Sequence, residues 1–145
     1  MKTKSYKTEL GDYLYKLKWD YFGTFTTRWP LRREVASELF YSFVKTLQLS
    51  YPGCRIAAVA EPFANSKRYH IHAIIKLSNN DPHKPENDLQ FITNRWQAIS
   101  RGRGKQGFNH TLLNVYDPSK KGGYYITKNV DKDEVDFLCH NLKRN

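Results

Sequence analysis

The sequence predicts an α+β domain in which helices pack on an antiparallel sheet, and three observations predict it. Short aromatic and β-branched runs alternate with stretches of helical period, Pro, Gly and Asp separate them, and the length suits one core rather than two. A chain of 145 residues falls in the range of a single domain, 1–145. It can bury roughly two-thirds of the surface its unfolded form exposes, so neither a disulfide nor a structural metal is required.

The elements follow in order. Residues 19–27 are aromatic and Thr-rich, stop before Pro30, and read as a strand. Val35, Ala36, Leu39, Phe40, Phe43, Val44 and Leu47 recur at helical spacing, and Pro52 and Gly53 end that helix. Residues 55–61 form an apolar strand, 62–67 a polar turn, and 69–77 a second strand returning antiparallel to the first. Leu89, Ile92, Trp96 and Ile99 define a second helix, and residues 101–107 a Gly-rich basic loop. Residues 110–116 alternate as a strand. Asp117 and Pro118 suit the N-cap and first position of a third helix carrying Tyr124, Tyr125 and Lys128. Val135, Leu138 and Leu142 hint at a last helical segment. The order β-α-β-β-α-β-α corresponds to a ferredoxin-like or RRM-like sandwich with one sheet face open to bind a partner.

Composition narrows the partner. Twenty-four Lys and Arg against 14 Asp and Glu leave 24 − 14 = +10, which favours a polyanion, nucleic acid before an anionic membrane surface. Ten Tyr, 8 Phe and 3 Trp exclude a solvated tail, and no window approaches the ~18 apolar residues of a membrane span. The N-terminus lacks the apolar core of a secretory signal. Cys54 and Cys139 fall in no CxxC pattern, so a reducing, cytoplasmic location is expected.

The sharpest chemical feature is Tyr69-His70-Ile71-His72-Ala73. On a strand the two imidazoles share one face while Ile71, Ala73 and Ile75 face the core, so both can converge on one cation. Glu61, at the end of the preceding strand, supplies a third ligand if the hairpin places it opposite His70 or His72; a one-residue slip would turn it into the core. Two imidazoles and one carboxylate suit a metal with positions open to a substrate oxygen. A surface His-x-His pair without metal is the alternative. Tyr125 and Lys128, at i and i+3, share a helical face, where the ammonium can stabilise a phenolate or bind a phosphate, whereas Tyr124 is rotated about 100° away. Such a pair alone is commonplace on helix surfaces. Gly122 and Gly123 weaken this helix in a way that suits close approach of a sugar-phosphate backbone. Arg28, Arg32, Arg33, Arg101, Arg103 and Lys105 could track a phosphodiester chain while Trp19, Tyr21 or Phe25 stack on bases; a solvated basic surface over core aromatics is the alternative. His83, His110 and His140 have no partner at ligand spacing.

Taken in order, these elements resemble the HUH endonuclease superfamily, specifically the single-tyrosine initiators of rolling-circle replication of viruses, phages and plasmids. Phe22-Gly23-Thr24-Phe25-Thr26-Thr27 is similar to the family's first motif, His70-Ile71-His72 to its His-hydrophobe-His motif, and Tyr125-Ile126-Thr127-Lys128 to its Tyr-x-x-Lys motif. Conjugative relaxases carry the tyrosine before the histidines. Two-tyrosine initiators space their pair at i and i+4, where this chain has Asn129 and Lys121. The resemblance implies DNA contacts by Thr24, Phe25, Thr26 and Thr27, and Mn²⁺ or Mg²⁺ held by Glu61, His70 and His72. It further implies attack by Tyr125 on single-stranded origin DNA, giving a 5′-phosphotyrosine and a free 3′-OH. A tyrosine hydroxyl ordinarily titrates near ~10, which is why the Lys128 cation would help. A polymerase and a helicase of host or virus are the expected partners, since no Walker-type phosphate loop is present. A single-tyrosine transposase of the same superfamily and a non-catalytic RRM-like binding module are the competing expectations.

Overall fold

A computed structural model describes residues 5–27, 30–64, 66–77, 85–100 and 111–142. The chain runs α1 (Tyr6–Lys16), β1 (Tyr21–Phe25), α2 (Arg33–Ser50), β2 (Arg55–Pro62), β3 (Tyr69–Lys76), α3 (Pro85–Ser100), β4 (Thr111–Val115), α4 (Gly122–Thr127) and β5 (Asp136–His140). It is an α+β fold built on one five-stranded sheet in the order β4-β1-β3-β2-β5, with every pairing antiparallel. No helix among the described residues is long and apolar enough to cross a membrane.

Strand parity divides the sheet into two faces. Tyr21 and Phe25 of β1, Ile56, Ala58 and Ala60 of β2, and Ile71, Ala73 and Ile75 of β3 point to one side and are buried against Leu39, Phe40, Phe43 and Leu47 of α2 and Ile92 and Trp96 of α3. The Phe25 ring meets Phe43 at 5.1 Å and Trp96 at 5.3 Å between centroids. Each large apolar side chain buried here stabilises by roughly 1.5–3 kcal/mol. Most of the core lies on this face, which leaves the other able to carry polar groups.

The second face holds Ala57 and Val59 of β2 and Ile74 of β3, packed with Leu14 of α1, Trp19 and Ile126 of α4. It is therefore not the open platform the sequence suggested. Helices α1 and α4 cover part of it, which explains why β2 reads as a continuous apolar run: its interior is enclosed on both sides. Trp19, Tyr21 and Phe25, expected to stack on bases, are buried instead.

Three further expectations change. Helix α1 was not anticipated; it starts at Ser5, whose Oγ accepts from the Thr8 amide at 3.2 Å. The last segment is a strand rather than a helix, because β2 offers an unpaired edge that Ala60 to Ile56 fill by pairing with Asp136 to His140. Asp117 caps only a single 3₁₀ turn, Pro118–Lys120. Lys121 then adopts a left-handed conformation, φ 52°, and α4 begins anew at Gly122.

Gly122 and Gly123 do serve close approach, but to protein rather than to a sugar-phosphate. A Cβ on Gly122 would lie 2.8 Å from the Tyr116 ring, and one on Gly123 2.9 Å from Leu14 Cβ of α1. The two glycines seat α4 against both the sheet face and α1.

Candidate metal and nucleophile site

Helix α4 lies beside the polar end of the second face. There Glu61 is paired with His70 in the β2–β3 ladder, the register that puts the carboxylate on the same face as both imidazoles. His70 Nε2 and His72 Nε2 stand 3.6 and 3.5 Å from Glu61 Oε1, and all three residues are buried. One ligand atom from each lies within 4.8 Å of the other two, so Glu61, His70 and His72 could hold one ion. Two ligands about 2.1 Å from a shared ion at a tetrahedral angle are about 3.4 Å apart, which the observed separations approach.

The partners of these groups aim them. Thr24 Oγ1 lies 2.9 Å from His72 Nδ1, across the β1–β3 pairing that sets Thr24 opposite His72, and leaves Nε2 for the shared centre. Asn129 Nδ2 donates to Glu61 Oε2 at 3.2 Å, so the other carboxylate oxygen faces the histidines. His70 differs: its Nδ1 is buried with no hydrogen-bond partner among the described residues. Its ring is fixed by aromatic contact, with Phe63 at 4.1 Å and 35° and with His72 at 4.5 Å and 83°.

The electrostatics favour the protonation states that metal ligation needs. Burial pushes the His72 imidazole down to about 4, with His70 and Lys128 adding to the effect and Glu61 opposing it. Glu61 is held below the usual carboxylate range, chiefly by His70 and then by Asn129, against the opposing effect of burial. His72 is therefore neutral near pH 7, and its contact with Glu61 is not an ion pair.

Tyr125 projects from α4 and is exposed. Its ring stands edge-on to His72 at 5.3 Å and to Phe22 at 5.5 Å. Lys128, one residue past the helix, places Nζ 4.0 Å from the Tyr125 ring centre. Tyr124 turns away to α1, where its hydroxyl donates to Asp12. Tyr125, Lys128, Glu61, His70 and His72 line one cleft of about 860 Å³. Its rim includes Arg32, Lys67 and Lys132.

Of the remaining sequence-derived residues, Arg33 also lines the cleft, and the others fall elsewhere or outside the described residues. Phe25 belongs to the core, Thr27 is buried, and the Thr26 carbonyl accepts from Trp96 Nε1 at 3.0 Å. None of Thr24, Phe25, Thr26 or Thr27 lines the cleft, and Thr24 acts on His72 instead. Arg33 is committed to Asp136 of β5 through two hydrogen bonds of 2.7 and 2.9 Å. Arg28, Arg101, Arg103 and Lys105 lie outside the described residues, as do His83 and His110. Sequence reasoning missed Asn129 and Phe63. The former had a signal: Tyr125, Lys128 and Asn129 stand at i, i+3 and i+4, the spacing that puts side chains on one helical face.

Comparison with protein-family models, with curated proteins and with solved structures finds no match for this chain.

Proposed function

We propose that this chain is a divalent-metal-dependent enzyme that nicks and rejoins single-stranded DNA, of the kind that initiates rolling-circle replication, with Tyr125 as nucleophile. One observation carries the reading: an exposed tyrosine stands edge-on to His72 of a buried two-histidine, one-carboxylate group, in the same cleft and under a lysine ammonium. The spatial order β4-β1-β3-β2 of the first four strands supports the ferredoxin-like frame expected for such an enzyme, with β5 an addition at the β2 edge. The covered second face weighs against a non-catalytic module that reads nucleic acid across an open sheet.

The donor set fits a divalent ion. Glu61, His70 and His72 would hold it, and two imidazoles favour Mn²⁺ over Mg²⁺, whose preferred ligands are oxygens. Bound there, the ion would supply positive charge to the non-bridging oxygens of a phosphodiester.

The residues of the chain account for the rest. Tyr125 Oη attacks phosphorus in line, a new P–O bond forms to the tyrosine, and the bond from phosphorus to the 3′ oxygen breaks. Its electron pair stays on the 3′ oxygen, which ends as a free hydroxyl carrying one proton, while the phenol gives one up. Lys128 offsets the negative charge on the phenolic oxygen and the phosphate. The 5′-phosphate remains on Tyr125, so the bond energy is kept and a 3′-OH can reverse the step. Neutral His72 carries no positive charge that would repel an ion and keeps one ring nitrogen unprotonated.

The test is direct. The protein is incubated with Mn²⁺ and a randomised single-stranded oligonucleotide library, and a denaturation-resistant protein–DNA adduct is sought by gel and located by mass spectrometry. The adduct should map to Tyr125 and vanish in Tyr125→Phe. Tight binding with no adduct from any oligonucleotide would overturn the enzymatic reading.

A further inference from the structure

The cleft contains an aromatic surface that the reaction above does not use. Phe63 follows β2 by one residue, in a turn whose other described members, Ala64, Ser66, Lys67 and Arg68, are exposed and contribute nothing to either core. The turn is closed by the Phe63 amide bonding to the Arg68 carbonyl at 2.8 Å and the Ser66 amide bonding to the Phe63 carbonyl at 3.1 Å. These bonds fix the main chain that carries the ring. One side leans on the His70 imidazole at 4.1 Å, yet the residue is 40% exposed and lines the cleft. Exposed Arg32 and Lys67 line the same cleft.

We propose that Phe63 is a stacking platform for one nucleobase of single-stranded DNA, next to the phosphate that Tyr125 attacks, with Arg32 and Lys67 holding the flanking backbone. The inference rests on the nicking reading above and adds a substrate contact to it. A flat, pre-positioned apolar ring flanked by cations is the combination that binds single strands without regard to sequence, because every base has a π face and every nucleotide a charge. Charge complementarity selects this occupant: the chain carries +10, and besides the metal-binding group the cleft is lined by Arg32, Lys67, Lys128 and Lys132, which outnumber the carboxylates of Glu34 and Glu134. Phe63 lies two residues from Glu61, so a base on its ring belongs to a nucleotide at or beside the scissile position.

The experiment uses the full chain in EDTA with a labelled single-stranded oligonucleotide, read by fluorescence anisotropy across a salt series. Phe63→Leu keeps an apolar side chain against His70 and removes the flat face. It should weaken binding roughly ten-fold or more at every salt concentration, since a lost stack leaves the number of displaced counterions unchanged. Lys67→Ala should instead reduce the salt slope by about one. An abasic residue walked along the oligonucleotide should cost the wild type affinity at one position and cost Phe63→Leu nothing there. Because binding is read in EDTA, any change in the Phe63 contact that fixes the His70 ring leaves this comparison unaffected. Wild-type oligonucleotide affinity in Phe63→Leu, with adduct formation at Tyr125 intact, overturns the platform and leaves the nicking reading standing. Absence of any single-strand binding by the wild type overturns both.

Discussion

Asn129 donates Nδ2 to Oε2 of Glu61 at 3.2 Å, and Oε1 of that carboxylate thereby faces His70 and His72 at 3.6 and 3.5 Å. The residue stands four positions after Tyr125. The segment that presents Tyr125 therefore also aims a candidate metal ligand on a different part of the chain.

Removing this aim should weaken the ion without unfolding the protein. Groups that orient a metal ligand typically account for about 10–100-fold in affinity. Asn129→Ala should lower Mn²⁺ affinity by that factor in a calorimetric titration, while the metal-free protein stays folded and its melting temperature falls only by what one hydrogen bond to a buried carboxylate contributes. Equal affinities in the two proteins would show that burial alone orients Glu61.

The histidines should behave as ligands rather than as structural supports. A cation present at about 100 times its dissociation constant adds about 2.7 kcal/mol to stability if it binds only the folded state. Wild-type protein should show a gain of this order with Mn²⁺, read from urea unfolding, and His70→Ala or His72→Ala should show almost none. Both variants should still bind single-stranded oligonucleotides in EDTA. Loss of that binding together with the fold would mark the pair as structural.

How much of this was legible beforehand depended on whether the signal was local. Strand parity alone puts His70 and His72 on one side, and a tight hairpin leaves few registers for Glu61, so the candidate ligands could be read from the residues. Parity on β1 could be read too, but not which parity faces the helices; only the pairing of Thr24 with His72 decides that Phe25 lies in the core. Helix α1 left little trace, because Gly11 interrupts it and its apolar residues are few. Its glycine makes sense only against Tyr124, 113 positions later, whose ring a Cβ on Gly11 would meet at 2.6 Å. Val135, Leu138 and Leu142 fit a helix as well as a strand, and the free edge of β2, a nonlocal feature, breaks the tie.

The seating of α4 allows Tyr125 to be displaced without disturbing the candidate metal ligands. Gly123→Ala would set a methyl group 2.9 Å from Leu14 Cβ and 3.2 Å from the Tyr15 amide nitrogen, a backbone atom that cannot step aside. Overpacking of this kind costs about 1–3 kcal/mol. The relief available is for α4 to move away from α1, which shifts Tyr125 while Glu61, His70 and His72 stay on their strands. Gly123→Ala should be less stable by that amount and form adduct far more slowly, with Mn²⁺ affinity reduced only through Asn129. Full adduct formation would show that α4 does not depend on α1 for its position.

Acid should destabilise the metal-free protein through the same group. The His72 imidazole lies at about 4 in the folded chain against 6.5 ordinarily, so the unfolded chain binds the extra proton first. Stability from this site is complete above pH 6.5, falls as pH drops from 6.5 toward 4, and levels off below. At about 1.4 kcal/mol for each pH unit of displacement, the full loss is roughly 3–4 kcal/mol. Glu61, held below its ordinary 4.5, acts with the same sign lower down: its contribution is present above 4.5 and is lost as pH falls through its lower folded value. The check is the urea midpoint measured in EDTA across this range. His72→Gln, which cannot take the proton, should flatten the decline between 6.5 and about 4 and leave the part below 4.5 that belongs to Glu61. An unchanged decline in His72→Gln would place the acid-sensitive group elsewhere in the chain.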